Sequence, residues 1–138
     1  ESPRVNLTLY GSRPPHDSDV GVIERGVEKF FDAQYMYEGS EVLVLETWWS
    51  PEGFVADIAF MKYPYVADLS TLSHGGARAE TVAVYIRAAF AEFDRPDMNF
   101  SSLALGQLLH PPQVVKQGED PGTAPLTVLL MIFLLPVL

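Results

Sequence analysis

Three histidines are the residues most able to bind a metal or move a proton. His16, His74 and His110 stand far apart in polar or proline-rich stretches of the chain. None has a second ligand at the i, i+4 spacing that would place two ligands on one helix face. We therefore expect all three to be surface residues, and we predict no metal site.

Two pairs of carboxylates lie close enough in sequence to share a proton or bind a cation. Asp17 and Asp19 stand where a helix is expected to begin, a position that favours acidic residues. Glu24 and Glu28 are four residues apart and are expected on a solvated helix face. A catalytic carboxyl usually needs burial to raise its pKa, and these polar contexts do not suggest burial. We predict that neither pair is catalytic.

The segment Ser73-His74-Gly75-Gly76 precedes a predicted helix and could form a nest of backbone amides for an anion. It lacks the lysine of a phosphate-binding loop, so we expect it to serve as a hinge. The sequence contains no Gly-x-Ser-x-Gly, no His-Glu-x-x-His and no dinucleotide-binding glycine pattern. The chain is therefore predicted not to be an enzyme and to hold no cofactor.

Two adjacent tryptophans precede a turn in the stretch WWSPEGFVADIAF, residues 48–60. Neighbouring residues of a strand point to opposite faces, so we expect at most one of Trp48 and Trp49 to be exposed. An exposed indole ring at a hairpin corner can contact a partner protein or stack on a sugar. Both residues are therefore candidates for a partner contact.

Two tripeptides match the acceptor motif for N-glycosylation, at Asn6-Leu7-Thr8 and Asn99-Phe100-Ser101. They would be modified if the chain enters a secretory compartment. The absence of cysteine does not decide the compartment, because oxidising surroundings permit disulfides without requiring them. We expect Asn6 and Asn99 to be glycosylated in an extracellular or lumenal protein.

The composition indicates one folded, acidic domain. Of the 138 residues, 48% are hydrophobic, which is enough for a packed core. The net charge of −9 makes a nucleic-acid partner unfavourable, because binding to phosphates depends on lysine and arginine.

The elements that must position these residues follow from the spacing of apolar side chains. The predicted elements are a strand at 5–9, a helix from Asp17 or Ser18 to about Ala33, a largely buried strand at 41–49, an antiparallel strand at 54–61, a helix at about 80–93 and a short strand at 100–105. This order predicts an α+β fold, the ferredoxin-like split β-α-β-β-α-β sandwich, with two helices on one face of an antiparallel sheet. A cystatin-like or nuclear-transport-factor-like cone is the alternative, but it needs more consecutive strands.

The last third of the chain differs in composition from the rest. We therefore divide the whole chain into a domain at 1–106, a proline-rich stem at 107–125 and an apolar tail at 126–138. The tail is shorter than the roughly 17 to 25 residues of a membrane-spanning helix. Three interpretations stay open: a truncated membrane span, a signal for a lipid anchor, or an element packed in the core or against a partner.

The order of elements, followed by a stem and an apolar tail, resembles a SEA domain placed next to a membrane. SEA domains commonly carry Gly-Ser-Val-Val-Val at the corner between the second and third strands, and Gly53-Phe54-Val55-Ala56-Asp57 stands at that place here. In cleaving members the serine hydroxyl attacks the carbonyl of the preceding glycine. Because Phe54 has no nucleophile, the resemblance implies a member that does not cleave itself.

The sequence thus predicts a non-enzymatic, membrane-associated extracellular domain that acts as a spacer, an adhesion module or a protein-interaction module. Its partners would be proteins, and its membrane attachment would use the C-terminal tail. The alternatives are an accessory subunit of a membrane-bound complex and, in a third class, a small ferredoxin-like enzyme or ligand-binding domain.

Overall fold

A computed structural model describes residues 2–74, 77–95 and 97–109. Its elements are β1 (Arg4–Tyr10), α1 (Asp19–Tyr35), β2 (Glu41–Ser50), β3 (Gly53–Lys62), a short 3-10 helix (Leu69–His74), α2 (Ala77–Glu92) and β4 (Ser102–Leu105). The predicted succession of strands and helices is therefore confirmed.

The four strands form one antiparallel sheet in the order β2-β3-β1-β4. Strands β2 and β3 are joined by a two-residue turn, whereas the other connections cross the sheet through α1 and α2. The two helices pack against the sheet, so the predicted α+β, ferredoxin-like sandwich is confirmed.

The core lies between the helices and one face of the sheet. Alternate residues of β1 supply Val5, Leu7 and Leu9, which are almost fully buried, as the period of two in a strand requires. Helix α1 packs closely on α2 at Gly26, where an added Cβ would lie 2.9 Å from the Cα of Ile86. Gly26 thus permits the close approach of the two helix axes.

The prediction that β2 is largely buried is wrong. Only Val42 and Val44 of this strand are buried. The physical reason is that β2 is an edge strand, paired with β3 alone, and that one of its faces is turned away from the helices. By contrast, β3 lies inside the sheet and its first eight residues are all buried.

The described chain continues beyond β4 along the start of β1. Leu109 and Arg4 exchange two backbone hydrogen bonds, with N···O distances of 2.8 and 3.0 Å. The rest of the proposed stem and the apolar tail at 126–138 lie outside the described residues. Within the part of the chain that is described, no helix is long and apolar enough to span a bilayer.

Candidate functional site

The sheet has one face turned away from the helices, here called the open face. Register partners form rows across it, and three neighbouring rows surround the site. Proceeding toward the β2-β3 turn, these are Leu43, Ala59, Arg4 and Leu109; then Glu46, Asp57 and Asn6; then Trp48, Val55, Thr8 and Ala104. A polar row is therefore placed between two rows that each end in an exposed apolar side chain, Leu43 and Trp48.

A groove of about 200 Å³ lies on the open face. Its side chains come from three strands and from the segment after β4, and they include Arg4, Asn6, Glu46, Trp48, Asp57, Gln107 and Leu109. The groove thus combines ionised groups, amides, one indole ring and one aliphatic side chain.

A β-bulge at Leu45 determines which side chains of β2 reach this groove. Val44 is opposite Ile58, but Glu46 is already opposite Asp57, so Leu45 is an extra residue without a partner. Uninterrupted alternation would have placed Glu46 and Trp48 on the helix side with Val44. The bulge turns both onto the open face, as bulges beside binding sites often do.

The centre of the groove is an ion pair with a second carboxylate beside it. Arg4 donates a hydrogen bond of 2.5 Å to Asp57, whose side chain is nearly buried. This hydrogen bond and the charge of Asp57 raise the pKa of Arg4, and the charge of Glu46 adds to the effect. Glu46 and Asp57 are opposite each other in register, an arrangement that is unfavourable for two like charges without the nearby guanidinium.

The two tryptophans lie on opposite sides of the β2-β3 hairpin, and both are exposed. The exposed fraction is 37% for Trp48 and 48% for Trp49, so the prediction that at most one is exposed is wrong. Trp49 is on the helix side, but it lies about 17 Å along β2 from Val44. Helix α1 extends only about 7.5 Å in that direction from Glu24, which contacts Val44. The hairpin therefore projects beyond the helix.

Both predicted glycosylation sites have exposed asparagines. Asn6 stands in the central row of the open face and lines the groove. Asn99 instead borders a second cavity, of about 370 Å³, beside the end of α2. In that cavity Arg87 lies over the ring of Phe100, with 4.7 Å between its guanidinium carbon and the ring centroid.

The corner between β2 and β3, predicted from the sequence to correspond to the SEA cleavage site, is a tight turn. Ser50 accepts hydrogen bonds from the amides of Glu52 and Gly53, and its hydroxyl donates to the Gly53 carbonyl. A Cβ on Gly53 would lie inside the van der Waals radius of the Leu9 carbonyl oxygen, so glycine is required there. Phe54, the residue that follows Gly53, is fully buried in the core.

The first carboxylate pair separates into two different roles. Asp17 is exposed, whereas Asp19 is fully buried at the start of α1. Asp19 accepts two hydrogen bonds from Arg13, one from the His16 amide and one from Arg95. Burial alone would raise the pKa of Asp19, but the hydrogen bonds and charges of these partners outweigh it and lower the pKa. This cluster anchors the helix start.

The second pair, Glu24 and Glu28, was predicted to lie on a solvated helix face, but both side chains contact β2. Each carboxylate accepts a hydrogen bond from a backbone amide of β2, at Val44 and Val42 respectively. Sequence spacing alone gave no signal for this contact, because it depends on which edge of the sheet α1 covers.

Only one of the three histidines, His16, has a described side chain. His16 is exposed, while the side chain of His74, the residues Gly75 and Gly76, and His110 lie outside the described part. Among the described side chains, no group of three or more His, Cys, Asp or Glu residues could hold a metal ion.

Sequence reasoning identified Trp48 and Asn6 but did not identify the groove between them. Arg4, Glu46 and Asp57 lie on three different strands, and the bulge that brings Glu46 to the open face has no local sequence signature. No protein-family model, curated protein or solved structure matches the chain.

Proposed function

We propose that the chain is a non-enzymatic adhesion or protein-interaction module that contacts a protein partner through the open face of its sheet. In this proposal the domain is extracellular or lumenal and is attached to a membrane through its C-terminal part. We propose that the domain resembles the SEA domains that lie next to a membrane, which fits this location. Unlike the cleaving members, it would not cleave itself at Gly53.

The observation that carries the proposal is the composition of the open face. Four large apolar side chains are exposed on it or at its margin, with exposed fractions of 44% for Leu43, 37% for Trp48, 49% for Met61 and 56% for Leu109. Large apolar side chains left exposed on the same face make that face the candidate contact surface. Trp and Met are also enriched in protein interfaces.

The charges of the open face indicate the chemistry of the partner. One guanidinium, Arg4, stands among two carboxylates, Glu46 and Asp57, so charges of both signs are present and their sum is only −1. Strong ionic pairing therefore does not drive the contact, and we infer that the partner presents neutral polar and apolar groups. The overall charge of −9 disfavours nucleic acids and anionic lipid surfaces.

The location is supported by the two exposed sequons. The full chain, expressed in a secretory cell and treated with an endoglycosidase, should lose mass from Asn6, Asn99 or both. A secreted product with neither site occupied would contradict the lumenal part of the proposal.

The contact surface can be tested with beads that carry the full chain and adhere to cells or matrix. Leu43→Glu and Met61→Glu should reduce adhesion to the level of bare beads, because a buried carboxylate opposes an apolar contact. Val84→Glu is the matched control, since Val84 is 58% exposed on α2, away from the open face. Adhesion that is lost only with Val84→Glu, or that never exceeds that of bare beads, would refute the proposal.

A further inference from the structure

We propose that the groove on the open face binds a single pyranose ring of an uncharged sugar. This inference rests on the proposed function, since the groove lies on the proposed contact surface, and it names the chemical group that the partner presents there.

The size of the groove fits a small ligand. Its volume is about 200 Å³. Drug-sized ligands occupy cavities of about 300 to 1,000 Å³, so this groove is too small for a nucleotide or a large cofactor. One six-membered ring with its hydroxyl groups is of the appropriate size.

Donors and acceptors are balanced around the groove, and this balance selects hydroxyl groups. Arg4 can only donate hydrogen bonds, the carboxylates of Glu46 and Asp57 can only accept them, and the amides of Asn6 and Gln107 do both. A hydroxyl group donates and accepts at once, so a ligand with several hydroxyls satisfies all three kinds of side chain.

The same groups disfavour charged ligands. An anion would approach Arg4 but would also meet two carboxylates, Glu46 and Asp57. A cation would approach Glu46 but would meet a guanidinium that stays ionised, because its pKa is raised by Asp57. The groove as a whole complements neither an anion nor a cation, but it does complement a neutral polyol.

The indole ring of Trp48 supplies the apolar wall that a pyranose needs. One face of a pyranose ring consists largely of C–H groups, which pack on a flat aromatic surface. Trp48 lines the groove and is 37% exposed, so part of its ring is available for contact. Leu109 adds an aliphatic wall from the segment beyond β4.

The ion pair at the centre of the groove is formed before a ligand arrives. Asp57 is nearly buried and is bonded to Arg4, and both residues lie on strands inside the sheet. The bulge at Leu45 places Glu46 and Trp48 on the open face of the sheet. Such preorganisation reduces the ordering cost of binding and favours recognition of one shape.

The sugar in the groove could come from a partner or from this chain, because a glycan attached to Asn6 would begin at the groove itself. The binding experiment therefore uses the full chain made in bacteria, where Asn6 is unmodified. The probe is methyl β-glucopyranoside, and the readout is the indole N–H resonance of each tryptophan in a nitrogen-15 correlation spectrum.

We expect a saturable shift of the Trp48 resonance with a dissociation constant in the millimolar range. Trp48→Ala should abolish binding, seen as the loss of saturable shifts in the backbone amides of Asn6 and Asp57. Trp49→Ala should leave binding unchanged, since Trp49 lies on the opposite side of the hairpin. Glu46→Gln should weaken it about tenfold, because an ionised acceptor is lost.

Several results would overturn the inference. These are the absence of saturable shifts in a correctly folded chain, shifts that survive both Trp48→Ala and Glu46→Gln, and tighter binding of butylammonium or acetate than of the glucoside. The last result would indicate an ion site instead of a sugar site.

Adhesion measurements separate this inference from the proposed function. If beads lose adhesion with Leu43→Glu but the glucoside does not bind, only the sugar inference fails. If the glucoside binds but adhesion does not depend on the open face, the proposed function fails and the sugar site stands. Loss of adhesion after deglycosylation of the target cells, but not of the chain, would identify the source as a partner's glycan.

Discussion

The carboxylate of Glu28 accepts a hydrogen bond from the backbone amide of Val42 at 3.0 Å, so a helix side chain takes the place of a missing strand neighbour. Glu24 does the same for Val44 at 2.9 Å, and Asp32 for Ser40 at 3.2 Å. Three carboxylates of α1 thus bond every second amide from Ser40, just before β2, to Val44 within it.

The repeat is possible because helix and strand spacings nearly match. Four residues of a helix rise about 6.0 Å, and two residues of a strand span about 6.6 Å. Carboxylates at i, i+4 and i+8 of α1 therefore stay in step with amides at alternate positions of the antiparallel β2. The outward amides of an edge strand otherwise invite pairing with another chain, and this contact blocks that pairing over 40–44.

Glu28→Gln is predicted to stabilise the fold at neutral pH. Burial raises the pKa of Glu28 above its ordinary value near 4.5; the Val42 amide opposes this shift, and the charges of Glu24 and Asp32 add to it. The ionised form therefore costs stability above the raised pKa, and the cost vanishes below the unfolded value. In urea unfolding at a series of pH values, the advantage of the variant should shrink as pH falls toward 4.5.

The matched control for that variant is Glu28→Ala, which removes the acceptor as well as the charge. It should cost about 1 kcal/mol at pH 7, because the Val42 amide then loses its partner. Equal stability of the Gln and Ala variants across the pH range would contradict a hydrogen-bonding role for Glu28.

Asp19→Ala is predicted to be among the most destabilising single changes. It would leave Arg13 and Arg95 partly buried without their shared carboxylate. Breaking a buried ion pair in this way costs about 3 to 5 kcal/mol. Asp97→Ala is the control, since Asp97 also pairs with Arg13 but is 57% exposed, and its loss should destabilise the fold far less than that of Asp19. Similar midpoints of thermal unfolding for both variants would show that the burial of Asp19 does not determine how much its ion pairs stabilise the fold.

Helical and strand periodicities were enough to predict the fold, because apolar positions such as Ile23, Phe30, Leu7 and Ile86 are buried on the faces that the pattern indicates. The site could not be predicted in the same way. The groove depends on the bulge at Leu45, which reverses the faces of the residues after it, and on contacts between distant strands. Local patterns contain neither kind of information.

Two glycines of α1 should respond in opposite directions to the same substitution. At Gly26 an added methyl group would lie 2.9 Å from the Cα of Ile86, so Gly26→Ala must push α2 away and should cost about 1 to 3 kcal/mol. At Gly21 nothing lies within 4 Å of the added atom, and Gly21→Ala should gain about 0.5 to 1 kcal/mol from helix propensity. Chemical denaturation of both variants checks the prediction, which a gain at Gly26 would refute.

The chain is predicted to remain intact at the Gly53-Phe54 bond. Phe54 offers no hydroxyl group and is fully buried in the core, while Ser50 is engaged in the turn through its hydrogen bonds with the backbone of Gly53. The full chain should run as one band after denaturation, and Ser50→Ala should not alter that result. Two fragments that separate near Gly53 would show that another group attacks this carbonyl. They would contradict the prediction that the lack of a nucleophile at Phe54 prevents cleavage.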